Sequence, residues 1–414
     1  MPQTTPAVCK WTSTSCYCEE HMKKILLGTT ALVSAGLVAG PALAGDPLSV
    51  SVSGSVVTGF YVVDADSTGA TSYQDTKVAV VARNIDIIAE GTLDNGMTAG
   101  VDAKMMLGSD WNTLANAGAP SGVTFRQLFA YLEGGFGRFE IGGVDGAAYK
   151  MHYTSPWFVP GNGVDSPNIY NGVGSAGLSR NTTFSLMATD ANKVSYFTPR
   201  FAGFQLGVSY TPDVTQSTTG VNANGLTVLP KLTGGGGVGP TTDVFEVAAN
   251  YAGTIGGVDL GVDGFYTDGD GNASNTDPKE YGFGASLGYM GFTLGGAWYQ
   301  SEDLAGPTNY GAFTPVASLA DAGAEVKTWT VGLSYGTGPW TVGVAYLESQ
   351  DDSSATSTFG SNGAESKAWQ VGGGYSLGSG VDLGLDVQFN SKKAAAGAQT
   401  FDTTSGGIVL AVSF

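Results

Sequence analysis

The sequence contains few cysteines, few basic residues and few histidines. All three cysteines, Cys9, Cys16 and Cys18, lie near the N-terminus, and their spacing matches no zinc-binding pattern. Disulfide bridges and thiol-based metal or redox sites are therefore excluded from the rest of the chain. Only 18 Lys and Arg stand against 36 Asp and Glu. Since proteins bind phosphate backbones through Lys and Arg, nucleic acid is excluded as a partner.

Long apolar runs are confined to the N-terminal region. From Met22 the sequence reads MKKILLGTTALVSAGLVAGPALA, with two lysines, an apolar stretch and the small-x-small triplet that ends at Ala44. This pattern predicts a signal peptide at residues 22–44, preceded by an upstream extension of the gene model at residues 1–21. A membrane-anchoring helix is the alternative, but the stretch is short and interrupted by Pro41. We expect the exported chain to comprise residues 45–414.

After Ala44 no window offers the ~18 consecutive apolar residues that a membrane-spanning helix needs. The hydrophobic pattern instead has a period of two, as in LSVSVSGSVVTGF (48–60), EYGFGASLGY (280–289) and VDLGLDVQFN (381–390). In each segment large apolar residues alternate with Ser, Gly, Asp or Asn. Such segments are β-strands with one apolar face and one polar or small face.

The lengths of the connections distinguish a membrane barrel from a soluble β-sandwich, which shows the same alternation. Seven short turns lie at 94–96, 134–137, 199–203, 253–257, 290–291, 336–339 and 377–380. Eight longer polar segments lie near 65–75, 108–123, 144–191, 212–241, 268–279, 302–325, 350–365 and 392–405. Strict alternation of short and long connections predicts an all-β, 16-stranded antiparallel transmembrane barrel with short periplasmic turns and long extracellular loops.

Aromatic residues cluster at both ends of the predicted strands. Tyr251, Tyr289, Tyr335 and Tyr375 precede short turns, whereas Tyr210, Tyr266, Trp298 and Tyr346 lie near the long connections. Two aromatic belts are typical of strands whose apolar faces contact lipid. The sheet must close, because unpaired backbone groups are not tolerated in lipid. A barrel of sixteen strands is too wide for side chains to fill, so we expect a water-filled interior.

Two segments resemble a known family. FRQLFAYLEGGFGRFEIGG (125–143) and NKVSYFTPRFAGFQLGVSY (192–210) are similar to motifs of general outer-membrane porins of Gram-negative bacteria, especially the α-proteobacterial type. The resemblance implies a homotrimer, a third extracellular loop folded into each barrel, and a terminal aromatic, Phe414, that the barrel-assembly machinery reads. The family carries an Arg where this chain has Gly143, so we do not expect a strongly basic constriction.

The longest connection, residues 144–191, occupies the position of the family's constriction loop and is given that name below. Its candidate selectivity residues are Asp145, Lys150, His152, Asp165 and Asp190. It also carries the aromatics Tyr149, Tyr153, Trp157 and Phe158. Charged groups in a narrow passage select the ions that pass. The alternative is a loop that only packs its aromatics against the inner wall.

Strand parity predicts which charged residues line the wall. The basic candidates are Lys104, Arg126, Arg138 and Lys193, and the acidic ones are Asp86, Glu90, Asp102, Glu140, Glu246, Asp259, Asp263, Asp382 and Asp386. This excess of carboxylates predicts a preference for cations, because fixed charges concentrate counter-ions in a pore. If salt bridges cancel these charges locally, a weakly selective passage results.

The sequence predicts no resident cofactor and no catalytic machinery. TDGDGNASNTD (267–277) begins like a calcium loop, but Ala273 replaces the required Gly and Lys279 occupies the final ligand position. A looser Ca²⁺ or Mg²⁺ site remains open at the extracellular loops, beside the phosphates of lipopolysaccharide. His152 is the only histidine after residue 44, and no nucleophile pattern accompanies it. We therefore expect a diffusion channel for ions and small hydrophilic solutes. A solute-specific, sugar-type channel and a surface anchor or adhesin are the alternatives.

Overall fold

The computed structural model describes most of the chain. The described residues are 9–12, 15–18, 48–67, 76–107, 123–165, 182–214, 216, 241–271, 277–302, 325–351, 363–393 and 400–414. Cys9–Thr12 and Ser15–Cys18 pair as a small antiparallel hairpin. The predicted signal peptide lies outside the described residues.

The main body is one closed barrel of sixteen antiparallel strands. The first eight are β1 (Ser49–Ser67), β2 (Thr76–Thr92), β3 (Thr98–Leu107), β4 (Val123–Gly134), β5 (Gly137–Gly143), β6 (Asn192–Phe197), β7 (Phe204–Asp213) and β8 (Thr241–Ile255). The others are β9 (Val258–Gly271), β10 (Lys279–Tyr289), β11 (Phe292–Glu302), β12 (Val326–Thr337), β13 (Trp340–Asp351), β14 (Ala364–Gly378), β15 (Val381–Lys393) and β16 (Thr400–Ser413). The prediction of a 16-stranded antiparallel barrel is confirmed.

Short and long connections alternate around the barrel as predicted. One of the two-residue turns joins β10 to β11 through Met290 and Gly291, both with positive φ (49° and 85°). This backbone geometry matches the twist of the strands that such a two-residue turn joins. The longest connection joins β5 to β6 and contains a single-turn helix, α1 (Ala147–Lys150). Within the part of the chain that the structure describes, no helix has both the length and the apolar character needed to cross a bilayer.

The first and last strands close the barrel. β1 and β16 pair from Ser55 opposite Ser413 to Ser67 opposite Phe401. Beyond that ladder, Gly54 and Phe414 exchange two backbone hydrogen bonds of 2.8 and 3.0 Å. On the last strand, Ile408, Leu410, Val412 and Phe414 alternate with inward residues and are all exposed on the outer face.

The outer face is apolar and carries rings at both ends. At the short-turn end, Trp340 contacts Tyr375 with centroids 4.4 Å apart. Near the long connections, Tyr346 contacts Trp369 at 4.6 Å. These contacts fit the two predicted aromatic belts.

The wall is uneven in height. β5 and β6 have seven and six residues, whereas the other strands have 10 to 19. A strand rises about 3.4 Å per residue, so neither short strand crosses an apolar band ~25 Å tall by itself. The constriction loop connects these two strands.

Candidate functional site

The described part of the constriction loop lies inside the barrel and follows its inner wall. Four hydrogen bonds mark its course from β7 to β15: Ala147 N to Ser209 Oγ (2.8 Å), Asn250 Nδ2 to Met151 O (3.2 Å), Thr330 Oγ1 to Ser155 Oγ (3.0 Å) and Asn162 Nδ2 to Asp386 Oδ2 (2.7 Å). The loop therefore narrows the interior, and these bonds attach it to the wall from β7 to β15.

Glycines on successive strands make room for the loop. A Cβ atom on Gly284 would lie 1.9 Å from Tyr153 O, and one on Gly295 would lie 2.6 Å from Thr154 O. Further along, a Cβ on Gly343 would lie 2.3 Å from the Phe158 ring. No side chain fits at such distances, so the absence of a Cβ is a requirement for this close approach.

Most of the loop aromatics pack against the wall. Tyr149, Tyr153 and Phe158 are buried. Phe158 belongs to an apolar cluster that includes Tyr61 of β1 and Val409 of β16. Trp157 is half-buried and donates its indole N–H to the carbonyl oxygen of Asp165 at 3.1 Å. Three of the four aromatics thus anchor the loop.

Asp145 is buried at the start of the loop instead of facing the passage. Its carboxylate accepts hydrogen bonds from Thr189 Oγ1 (2.5 Å) and Gln127 Nε2 (2.9 Å). Burial by itself raises the pKa of Asp145, but the charge of Arg126 and these two hydrogen bonds outweigh it. The pKa of Asp145 therefore lies below its ordinary value, and the carboxylate is ionised.

Asp165 and His152 are also buried, and they join the two arms of the loop. Asp165 accepts hydrogen bonds from Thr154 Oγ1, Thr183 Oγ1 and, at 2.9 Å, from Thr183 N. His152 lies between Asp263 Oδ1 of β9 (2.9 Å from Nδ1) and Thr183 Oγ1 (3.0 Å from Nε2).

The hydroxyl, imidazole and carboxylate of Thr183, His152 and Asp263 have the order of a nucleophile, base and orienting acid. However, Thr183 and the His152 side chain are 0% exposed. The Thr183 hydroxyl also donates to Asp165 instead of to the histidine. No substrate can reach this group, so it is a structural arrangement.

Asp190 forms a third anchor. Arg126 Nε donates to its Oδ2 at 2.8 Å, and Gln127 Nε2 donates to its Oδ1 at 2.5 Å. Neighbouring residues of a regular strand point to opposite faces, but here the register shifts between Lys104 and Met105 of the partner strand. This β-bulge lets both side chains turn inward. Strand parity therefore identified Arg126 but missed Gln127.

Glu140 connects wall and loop through two cations. It pairs with Lys150 of the loop and with Arg138 Nε at 2.8 Å, while Arg138 Nη1 reaches Glu133 at 2.9 Å. The guanidinium also lies 3.9 Å from the ring centre of Tyr131. Burial lowers the pKa of Lys150, and the neighbouring Glu140 only partly offsets this effect.

Lys193 does not line the passage as predicted. Its ammonium is buried and donates to the carbonyl oxygens of Val144, Ala188 and Ala191, the last at 2.9 Å. These carbonyls belong to the two ends of the constriction loop. Lys193 therefore clamps the base of the loop.

Two acidic wall residues receive several donors each. Asp386 accepts from Asn162, Gln370 and Gln388 at 2.7 to 2.8 Å and from Tyr61 at 3.3 Å. Glu280, which parity reasoning did not select, accepts from Ser185, Met187 N and Tyr299 at 2.5, 3.3 and 2.6 Å. Glu246 is buried as well. Asp386 and Glu280 therefore attach the loop to the wall.

The remaining predicted wall residues lie away from the loop anchors. Asp86 stands opposite Lys104 in the β2–β3 register, and Asp102 lies on the same face. Glu90 accepts a hydrogen bond from Tyr131 at 2.5 Å. Asp259 accepts one from Thr254 at 2.7 Å, and Asp382 is half-buried.

Comparisons with solved structures find the same architecture. An anion-selective porin from Comamonas acidovorans superposes with a TM-score of 0.55 at 17% identity, over 89% of this chain and 100% of that one. The outer-membrane channel DcaP of Acinetobacter baumannii gives 0.59 at 11% identity over 91% and 100%. The trimer form of OmpT from Vibrio cholerae gives 0.53 at 11% identity over 89% and 100%. At these identities the likeness concerns the fold.

Sequence comparisons identify the family. An uncharacterized protein of Rickettsia conorii is 28% identical over 130 residues, and this match spans 27% of the present chain and only 30% of that relative. The model of the Gram-negative porin family matches residues 28–395. The chain therefore belongs to the Gram-negative porin family and is a β-barrel protein of the outer membrane.

Proposed function

We propose that this protein is a passive diffusion channel for ions and small hydrophilic solutes across the outer membrane. The observation that carries this proposal is the constriction loop, which is anchored to the inner wall of a closed 16-stranded barrel. A barrel of this size has room for water beside such a loop. Family and fold indicate a channel rather than an enzyme.

A preference for cations is supported by the way the interior charges are partnered. Arg126, Arg138 and Lys150 each pair with a carboxylate, and Lys193 is buried against carbonyl oxygens. Such pairing leaves little of their charge for the passage. The β2–β3 wall carries Asp86 and Asp102 around Lys104, and more carboxylates lie near the short-turn end, as at Asp259 and Asp382.

Planar-bilayer recordings of the purified protein in a KCl gradient test both the channel function, through the conductance, and the preference for cations, through the reversal potential. We expect stable conducting steps and a potential of the sign for cation flow. The double variant Asp86→Asn/Asp102→Asn should lower the cation-to-anion permeability ratio roughly two-fold, because both charges face the passage. Asp402→Asn, on the outward face of β16, is the control and should leave the ratio unchanged. A reversal potential of the opposite sign would contradict cation preference.

Two other functions make different predictions in the same measurement. A sugar-specific channel needs rings exposed to the passage, but Tyr149, Tyr153 and Phe158 are buried against the wall and Trp157 is half-buried. Such a channel would show saturable block of its current by a sugar. A surface anchor or adhesin would insert into the bilayer and remain silent. General diffusion predicts current without block.

The proposed assembly is a homotrimer in a lipopolysaccharide-containing leaflet. The short wall at β5 and β6 supports it, because strands of seven and six residues need a protein neighbour to cover the apolar band. A trimer form is known for the structurally similar OmpT of Vibrio cholerae. Export through the signal peptide at 22–44 and insertion by the barrel-assembly machinery through Phe414 belong to the same proposal. Ca²⁺ or Mg²⁺ at the extracellular loops would bridge their acidic residues to lipid phosphates.

A further inference from the structure

Four buried side chains form a continuous chain of hydrogen bonds that attaches the constriction loop to the wall. Asp263 Oδ1 of β9 lies 2.9 Å from His152 Nδ1, and His152 Nε2 lies 3.0 Å from Thr183 Oγ1. Thr183 Oγ1 in turn bonds to Asp165 Oδ2. Asp263 also accepts the backbone N–H of Tyr153 at 2.7 Å. Strand β9, the part of the loop before residue 166 and the part after residue 181 meet at this chain of hydrogen bonds.

The number of protons in this chain follows from its contacts. Three contacts join the four groups, and each contact needs one proton between its two heavy atoms. A neutral imidazole supplies one and the threonine hydroxyl supplies one, while ionised carboxylates supply none. The seated loop therefore needs one additional proton, whichever atom of the chain carries it. Without that proton, one contact would bring two acceptors together in a buried site, which is unfavourable.

We propose that the Asp263–His152–Thr183–Asp165 chain is a proton-dependent latch that holds the constriction loop against the barrel wall. The additional proton is required while the loop contacts the wall, which we call the seated state. Once the loop leaves the wall, which we call the free state, water satisfies each group and the proton is released as the pH rises. The seated state then binds one proton more than the free state. By linkage, seating is favoured at lower pH and weakens as the pH increases, by at most tenfold per pH unit.

The surroundings of the latch keep water out. The ring of His152 meets Phe184 and Phe265 edge to face, with centroids 5.1 and 5.2 Å apart. Its side chain is 0% exposed and that of Asp263 is 1% exposed. The other titratable or charged groups around it are Tyr149, Lys150 and Tyr153 on the loop, Glu280 on β10 and Arg200 near the short turn after β6. Glu280 accepts hydrogen bonds from Ser185 of the loop and from Tyr299.

Asp263→Asn is the decisive variant. An asparagine can donate from Nδ2 to His152 Nδ1 and still accept the Tyr153 N–H on Oδ1, so all three contacts are made without an additional proton. We expect the loop of this variant to stay seated at every pH, with the pH dependence lost. Thr183→Val is the second variant. It leaves only the Asp263–His152 contact, which a neutral imidazole satisfies, so its seating should also be independent of pH, although weaker.

Seating is measured without reference to conductance through a thiol reporter. Ser155 belongs to the loop, is buried, and accepts a hydrogen bond from Thr330 of the wall. In a Ser155→Cys background, we expect the rate of labelling by a small methanethiosulfonate to rise with pH, and this rise to disappear in Asp263→Asn. Peptide masses separate this thiol from Cys9, Cys16 and Cys18. Thr92→Cys, on an exposed strand end, corrects for the pH dependence of thiol chemistry itself.

The outcomes separate the latch from the channel function on which its physiological effect depends. Labelling that does not change with pH, or that keeps its pH dependence in Asp263→Asn, overturns the latch. Asp386→Asn, at an anchor outside the chain, should loosen the loop at all pH values and keep the pH dependence. If bilayers remain silent while labelling depends on pH, the channel function fails and the latch stands. If both hold, current fluctuations increase over the pH range in which labelling accelerates.

Discussion

Individual glycines decide where the constriction loop can lie. Gly284, Gly295 and Gly343 belong to different strands, and each faces a backbone oxygen or ring of the loop at a distance that excludes a Cβ. Gly264 of β9 differs, because a Cβ there would meet only Gly282 O, at 3.8 Å. High glycine content in this chain therefore has two meanings. At Gly284, Gly295 and Gly343 it is a packing requirement, whereas at Gly264 a side chain has room.

The pair Gly284→Ala and Gly264→Ala tests this distinction with the same chemical change. At Gly284 the new methyl would overlap Tyr153 O, so the loop must shift, and we expect a loss of about 1–3 kcal/mol in the free energy of unfolding. At Gly264 we expect no loss, and a gain of up to ~1 kcal/mol through reduced backbone freedom. Urea unfolding in detergent micelles measures both values, and single-channel conductance should change only for Gly284→Ala. Equal effects at the two positions would show that the loop does not require glycine at position 284.

The constriction loop depends on Lys193, which joins its two ends, as much as on the glycines beneath it. Lys193 donates to carbonyls from both ends of the loop, although its ammonium is fully removed from water. A buried cation is unfavourable unless its donors are satisfied, and here all three reach an oxygen. The same side chain thus converts two separate strand ends into one rigid base.

Lys193→Met keeps the length of the side chain and removes its three donors. Three buried carbonyl oxygens would then lack this partner, and we expect a loss of roughly 3 kcal/mol in the free energy of unfolding, together with frequent closures in single-channel records. Lys327→Met is the matched control, because Lys327 pairs with Glu325 at an exposed site where ion pairs contribute ~0–1 kcal/mol. Unaltered stability and no additional closures for Lys193→Met would show that the two ends of the loop need no cation to hold them together.

At the level of elements, the sequence predicts what is local and misses what is distant. Period-two alternation and turn residues such as Asn95-Gly96 act within a few residues, so the strands and their connections were predictable. The path of the loop depends on contacts between residues such as Asn162 and Asp386, 224 positions apart. Parity placed Asp263 and Asp386 on the inner face correctly, but it could not reveal that the loop covers them. The bulge at Arg126 likewise leaves no local signal.

The whole barrel has a single seam, between its first and last strands, and Phe414 lies at the end of it. Its ring covers Gly54, where an added Cβ would lie 2.7 Å from the ring, and its backbone forms two bonds with the same residue. Thirteen further residue pairs join β1 to β16. The seam itself is therefore extensive, and the terminal residue is a small part of it.

This geometry separates two roles that Phe414 can have in the complete molecule. Phe414→Ala keeps the backbone bonds to Gly54 and the thirteen pairs, so refolding of the purified chain into detergent should reach nearly the wild-type yield, with a loss of about 1–2 kcal/mol from the ring. If the assembly machinery reads the terminal aromatic, the amount of folded barrel in cells should fall much further than this loss explains. Phe389→Ala, which removes an exposed ring from β15, controls for the loss of a ring from the outer face. Equal losses in cells and in detergent for Phe414→Ala would assign the residue to the seam alone, whereas a loss confined to cells assigns it to recognition during assembly.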